Sequence, residues 1–248
     1  AAEGEELAAL KAAWAIALHD RRKDERLSVK NQLYGWRPLL VFHFEGDENK
    51  ENPLPDGVAD AIRADVRSAD ESVAGSHSRQ SVINTASNVL VLAGMTEDAR
   101  ALLKAEIGKS KTSYYFMGSL AYLEEQEGND AVSLEWRRKA YEDAKGPATR
   151  IRWWASYVQA LVRLSPEDSE SILAAAMYVF DEGQGMEDLF SGANYRNLKR
   201  ATESLRTWDE AQNSGQALLA EFEQALAEAC GGQLAGSVAA GACSSLGP

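Results

Sequence analysis

The sequence predicts an all-helical fold built from repeated helical hairpins. Three observations lead to this prediction. Apolar residues recur at spacings of three and four along most of the chain, glycines suited to helix–helix turns lie 34 residues apart, and small residues recur with the same period. Spacings of three and four place side chains on one face of an α-helix, and a fixed period of this length is typical of repeat architectures.

The composition is that of an ordinary folded protein: 248 residues, 45% hydrophobic and 26% charged. The formal net charge is −12, and no basic stripe is visible in the sequence. Because an acidic surface repels phosphate backbones, nucleic acid is not an expected partner. The longest apolar runs, 39–42 and 172–180, are far shorter than the roughly 20 residues that span a bilayer, so no membrane insertion is expected.

Residues 1–75 are predicted to form an N-terminal helical region. Its first helix covers about residues 5–21, and further helices are expected over 25–34 and 56–69. The apolar stripe of the first helix comprises Leu7, Leu10, Trp14 and Leu18.

Between these helices lies a short apolar run, 39–44, that fits either a lone strand or a buried helical turn, because periodicity does not separate the two over so few residues. The charged segment that follows contains Pro53 and Pro55 and is predicted to be an exposed loop at a boundary.

Residues 78–182 carry the repeats. Gly94 and Gly128 are the expected turns of two successive hairpins, and their separation equals the tetratricopeptide period. A small residue recurs seven positions before each expected turn, where two helices must approach closely. These residues are Ser87, Ala121 and Ala155.

Segments 93–103 and 127–140 therefore resemble tetratricopeptide repeats. Arg137 stands where the family prefers an aromatic residue and Glu124 where it prefers Tyr. The third unit lacks the turn glycine, and Ser165 and Pro166 are expected to cap and begin its second helix. Helices over 166–180, 194–208 and 214–230 follow, and residues 183–248 are predicted to form a C-terminal helical cap and tail.

Three further stretches, 113–118, 146–154 and 194–198, are similar to the helical C-terminal region of exported bacterial thioredoxin-family proteins. The similarity covers about residues 78–245. It implies an exported, periplasmic setting, with a cytoplasmic setting as the alternative. It does not imply redox activity, because the sequence contains no C-x-x-C motif.

Cys230 and Cys243 fit either a disulfide that ties down a glycine-rich tail or two unpaired core residues in a reducing compartment. The chain-entropy model gives roughly 3 kcal/mol for such a loop closure. The exported setting implied by the resemblance favours the disulfide.

No sequence motif indicates a particular enzymatic reaction, since the G-x-S-x-G, P-loop and G-x-G-x-x-G patterns are absent. His19, His43 and His77 lack the spacing of a helical metal site, and no catalytic residue, metal or cofactor is predicted. The acidic pairs Glu124–Glu125 and Asp209–Glu210 are interpreted as solvated helix faces.

The first helix of each tetratricopeptide unit lines the concave face, which predicts a groove formed by Asn84, Asn88, Tyr115, Tyr122 and Arg152. Amide, phenol and guanidinium groups suit a peptide backbone or a carboxylate. The alternative is that these are ordinary polar positions on a solvated face. The predicted function is a non-catalytic module that binds a peptide or protein partner. The alternative is an accessory domain of a thioredoxin-family thiol–disulfide oxidoreductase whose catalytic domain is absent from this chain.

Overall fold

The computed structural model describes residues 2–47, 50–212, 219–231 and 238–246. All regular secondary structure in these ranges is helical, which confirms the predicted all-α class. The chain divides into two compact units, residues 1–123 and 124–248. Within the described ranges, no helix combines the length and the apolar character that a bilayer crossing requires.

The first unit contains the helices of the N-terminal region and the first hairpin. They are α1 (Ala2–Lys23), α2 (Val29–Leu33), α3 (Trp36–His43), α4 (Val58–Ser72), α5 (Ser76–Leu92), α6 (Thr96–Ile107) and most of α7 (Tyr114–Gln126), which crosses the unit boundary. The core is centred on α5, which packs against α2, α3, α4 and α6. Ile83 and Leu90 of α5 are fully buried there.

The second unit is centred on one long helix. Its elements are α8 (Asp130–Asp143), α9 (Pro147–Leu164), α10 (Ser169–Gly183), α11 (Gly192–Gln212), α12 (Ala220–Gly231) and α13 (Val238–Ser244). Helix α9 packs against α8, α10 and α11 and buries Ile151, Trp154 and Val158. The indole of Trp154 donates a hydrogen bond to the carbonyl of Ala175 at 2.7 Å, which fixes α9 against α10.

The apolar run left open by the sequence is helical. It forms α3, with Pro38 in the first turn, where the missing N–H of proline removes no helical hydrogen bond. Helix α2 begins later than expected because Ser28 caps it, with the Ser28 hydroxyl accepting from the N–H of Asn31. The described residues of the charged segment after α3 are mostly exposed, as predicted, and Lys50 donates to the carbonyl of Val91 at 2.6 Å.

The two predicted turn glycines occupy the same helix-ending motif. Gly94 and Gly128 have φ of 73° and 75°, the left-handed conformation that glycine adopts without steric cost. In each turn the N–H after the glycine donates to the carbonyl five residues before it, which is the defining bond of a Schellman motif. The bonds are Met95 N–H to Leu90 O at 2.9 Å and Asn129 N–H to Glu124 O at 2.8 Å.

The recurring small residues Ser87, Ala121 and Ala155 are all buried, as close helix packing requires. Together with the two matching turns, this confirms the predicted tetratricopeptide-like repeats. The prediction that the second helix of the third unit begins at Pro166 is wrong.

That helix, α10, begins at Ser169 because Asp168 is its N-cap. The Asp168 carboxylate accepts from the N–H of Ser171 at 3.1 Å, and this hydrogen bonding lowers the pKa of Asp168.

A charged cluster joins three helices of the first unit. The Arg79 guanidinium on α5 binds both carboxylate oxygens of Glu106 on α6, at 2.7 and 2.6 Å. It also donates to the carbonyls of Asp70 and Val73 at the end of α4, and to the Asp70 carboxylate. Glu106 is only 2% exposed. Its hydrogen bonds raise the pKa of Arg79 and keep that side chain charged.

Cys230 of α12 and Cys243 of α13 are joined as a disulfide, with Cα atoms 5.4 Å apart. The guanidinium of Arg206 on α11 binds the Glu223 carboxylate and the carbonyl of Leu246, so the end of the described chain lies against α11. Oxidation of the pair in the cell and the sequence-based division at residues 75 and 182 stay predictions. The predicted start of the last long helix, at 214, lies outside the described residues.

Candidate functional site

Two helices of the first unit bring together part of the predicted groove. On α5, the side-chain oxygen of Asn84 lies 3.1 Å from the hydroxyl of Ser119 on α7, which donates to it. The same hydroxyl lies 3.2 Å from the carbonyl of Tyr115, one turn earlier. The ring of Tyr115 packs against Tyr114, with centroids 4.8 Å apart. The Asn84–Ser119 hydrogen bond therefore joins α5 to α7.

The remaining predicted groove residues are exposed. Asn88 lies one turn after Asn84 on α5. Tyr122, two turns after Tyr115 on α7, is 55% exposed, which is unusual for an aromatic side chain. Arg152 is exposed on α9, in the second unit, with its guanidinium 5.5 Å from the ring centroid of Trp153. A binding role for all five residues stays a prediction.

A cleft between α9 and α11 in the second unit was not predicted. It has a volume of about 570 Å³. One wall is the end of α9 and the turn after it, and the other is the C-terminal half of α11. The residues that line it are Gln159, Val162, Arg163, Pro166, Arg200, Glu203, Ser204, Thr207, Trp208, Ala211 and Gln212.

Helical spacing places one further exposed arginine, outside the cleft lining, on the same face of each wall helix. On α9, Arg152 lies eleven residues before Arg163, so the two occupy the same face three turns apart. On α11, Arg196 lies one turn before Arg200, and both are exposed. Among the described residues neither Arg196 nor Arg200 forms an ion pair, whereas Glu203 lies 3.6 Å from Lys199. The protein as a whole is acidic, so this is a local concentration of positive charge.

Arg163 is positioned by the carboxylate of Glu125, one of the two glutamates that were interpreted as a solvated helix face. Glu125 accepts hydrogen bonds from Arg163 at 2.7 Å and from Arg137 at 2.6 Å, and Arg137 also donates to the hydroxyl of Ser156 at 2.9 Å. Burial alone would raise the pKa of Glu125, but the hydrogen bonds from the two arginines outweigh it and lower that pKa. Glu125 is therefore an ionised anchor for the α8–α9 packing.

The interpretation of Glu124–Glu125 as a solvated helix face is wrong, because both carboxylates are largely shielded from solvent and hydrogen-bonded to other side chains. Glu124 is 4% exposed and accepts from the side-chain amide of Asn129 at 2.9 Å. Arg137, which replaces the aromatic residue of the repeat pattern, supplies the charge that permits Glu125 to lie close to the core. The two departures from the repeat pattern therefore belong to neighbouring hydrogen-bonded groups, Glu124 with Asn129 and Arg137 with Glu125.

One end of the cleft is closed by a hydrogen bond between its walls. The indole N–H of Trp208 on α11 donates to the carbonyl of Pro166 at 2.8 Å. Because Trp208 is buried, this bond fixes the spacing of α9 and α11 and keeps the cleft from collapsing at this end. The lining then presents two guanidinium groups, two side-chain amides, two hydroxyls and one carboxylate to an incoming ligand.

These groups can donate and accept hydrogen bonds along an extended chain. Within the described ranges, no three His, Cys, Asp or Glu side chains gather in a way that would hold a metal ion. The amides and hydroxyls of the cleft can pair with a peptide backbone, and its arginines can bind a carboxylate.

Comparisons with known proteins give structural neighbours and no family. No family model matches the chain, and no curated protein matches it. Two solved structures are similar: a crystal structure described as a Podosopora anserina putative kinesin light chain with nearly identical TPR-like repeats, and a variant of that same protein. Each is 12% identical, covers 82% of this chain and 98% of its own, and has a TM-score of 0.43. The repeat assignment rests on the turns and buried small residues described above.

Proposed function

We propose that this chain is a non-catalytic interaction module that binds an extended segment of a partner protein. The observation that supports it is the cleft between α9 and α11, whose walls are joined by the Trp208–Pro166 hydrogen bond and lined by groups that pair with peptide backbone. Clefts between helices of a rigid scaffold are a common place for ligand recognition.

The charge of the cleft favours an acidic segment or a chain end. Arg163 contributes from the α9 wall and Arg200 from the α11 wall, and Arg152 and Arg196 extend positive charge along the same two helix faces. Arginine binds carboxylates with two parallel hydrogen bonds, so a row of arginines selects Asp, Glu or a C-terminal carboxylate over neutral side chains. Glu203 in the same lining disfavours a carboxylate beside it and would help to set the register.

Peptide display on the purified protein tests this proposal. Selected peptides should be rich in Asp and Glu. Their affinity for Arg200→Glu should fall by at least about tenfold, because a cation in the cleft becomes a repelling anion. The matched control is Arg138→Glu, which makes the same charge change on α8 at a residue that is exposed and pairs with Glu142.

Two results would contradict the proposal. One is a selection that yields no peptide above background. The other is a set of peptides that bind both variants as well as the unmodified protein. Binding weakened equally by both variants would indicate a general charge effect, and a steep loss of affinity in salt for every polyanion tested would favour that reading.

The longer groove predicted from the sequence has its own test. If the predicted groove residues take part in binding, Asn88→Ala and Arg152→Ala, each tested alone, should weaken a selected peptide. Unchanged binding by a variant would exclude that residue from the site.

An accessory role beside a thioredoxin-family enzyme in an exported setting is the second candidate. The disulfide-joined pair Cys230 and Cys243 favours it, because disulfides persist in oxidising compartments. Mass spectrometry of proteins that co-purify from the native compartment should then find a thioredoxin domain. Its absence there and from the complete gene product would count against this role.

A further inference from the structure

The first helix exposes an apolar stripe. Leu7, Leu10 and Trp14 of α1 are 50%, 55% and 50% exposed, although their spacing places them on one helix face. Leu18, the next residue of the stripe, is buried at 5%. The stripe is therefore covered at its C-terminal end and open over about two turns.

The contacts of α1 explain this difference. Helices α2 and α3 pack against it, and Arg22 at its C-terminal end binds Asp65 and stacks on the ring of Trp36. Nearer the middle, Lys11 pairs with Glu45 at the end of α3. Among the described residues these neighbours cover one side of α1 and leave the Leu7–Trp14 face in solvent.

The exposed face has a symmetric pattern. Leu7, Leu10, Trp14 and Ala17 recur at spacings of three, four and three, which is the apolar seam of a coiled coil. The pattern is centred on residue 12, so an antiparallel copy of the same helix places Leu10 opposite Trp14 and Leu7 opposite Ala17. Each apolar side chain then meets another apolar side chain.

Charge along α1 also favours an antiparallel neighbour. The first ten residues contain three glutamates and no basic residue, whereas residues 19–23 contain one aspartate and three basic residues, of which Arg22 is already paired with Asp65. In an antiparallel pair the acidic end of each helix lies beside the basic end of the other. The register that pairs Leu10 with Trp14 and Leu7 with Ala17 also pairs Glu3 with Arg21, positions that extend the same seam by four residues at its two ends.

We propose that the Leu7–Trp14 face of α1 is a self-association surface that pairs with α1 of a second copy of this chain in antiparallel orientation. A second copy supplies both the matching apolar pattern and the complementary charge. Because a single helix face is a small interface, the dimer is expected to be weak and concentration-dependent. This inference is independent of the peptide cleft, which lies in the other unit.

Sedimentation equilibrium of the full chain over a range of concentrations tests the proposal. The unmodified protein should show reversible dimers, and Trp14→Glu or Leu10→Glu should raise the dissociation constant by at least about tenfold. The matched control is Ile16→Glu. Ile16 is 67% exposed but lies on a different face of the helix, so its variant should dimerise like the unmodified protein.

Charge reversal tests the orientation. Arg21→Glu should weaken the dimer, and adding Glu3→Lys should restore it, because the charges of the pair are exchanged rather than removed. Circular dichroism of each variant confirms that helix content is retained. A protein that is monomeric up to about 1 mM would overturn the proposal. So would dimers that Trp14→Glu leaves intact, or that Ile16→Glu weakens as much as Trp14→Glu does.

Discussion

Replacing Arg79 by Met should be among the most destabilising single changes in the first unit. The guanidinium makes two charge-assisted hydrogen bonds to Glu106 at 2.7 and 2.6 Å, and Glu106 is 2% exposed. Removing the cation leaves a buried carboxylate without its partner, which costs about 3–5 kcal/mol. The carbonyls of Asp70 and Val73 at the end of α4 lose a donor at the same time, so the effect should reach that helix.

Urea unfolding followed by circular dichroism measures the loss, and amide hydrogen exchange locates it in α4, α5 and α6. Arg63→Met is the matched control, because Arg63 pairs with Asp98 and Asp60 near the surface and should contribute far less. In the Arg79→Met background, Glu106→Gln should recover part of the stability by removing the unpaired charge. If Arg79→Met is no more destabilising than Arg63→Met, or if Glu106→Gln recovers nothing, the buried charge is not the cause.

Three further results are expected. Gly128→Ala should lower the melting temperature by about 2–4 °C, because alanine in the left-handed conformation costs about 1 kcal/mol. Gly108 has φ of −69°, so Gly108→Ala should not lower the melting temperature. Equal effects of the two variants would refute the argument that the turn requires glycine. Hydrogen bonds from two arginines lower the pKa of Glu125 despite its burial. The contribution of ionised Glu125 to the free energy of unfolding is therefore present above the ordinary pKa of 4.5 and is lost as pH falls through the lowered pKa. Glu125→Gln should accordingly reduce the fall in melting temperature at acid pH. Denatured, unreduced protein from its native compartment should contain linked Cys230 and Cys243 peptides and no free thiol; two free thiols would favour the cytoplasmic alternative.

The sequence determined the repeat geometry because that geometry depends on local chemistry. A left-handed turn needs glycine, and close helix packing needs a small side chain, so Gly94, Gly128 and the small residues seven positions before them identify the hairpins. Asp168 carries an equally local signal, since an aspartate three residues before a serine N–H is a common N-cap, but Pro166, two residues earlier, also fits a helix start.

The cleft and the ion pairs beside it could not be predicted from the sequence, because they bring together residues that lie far apart along the chain. Glu125 is adjacent to nothing basic in sequence, and its partners Arg137 and Arg163 follow 12 and 38 residues later. The sequence places Arg196 and Arg200 four residues apart, on one face of a helix, but it does not show which other helix packs beside that face. The structure shows that α11 packs on α9.

Glu125 already pairs with Arg163, so a ligand carboxylate at the cleft would meet a guanidinium group that is occupied. A ligand carboxylate that binds Arg163 must compete with Glu125 for the same guanidinium, while Arg137 remains able to hold Glu125 in place. If the proposed peptide binds there, a single ligand carboxylate would gain little by displacing Glu125 from Arg163, whereas a peptide that also engages Arg200 would bind more tightly. Under that proposal, Glu125 would set a minimum negative charge for the bound segment.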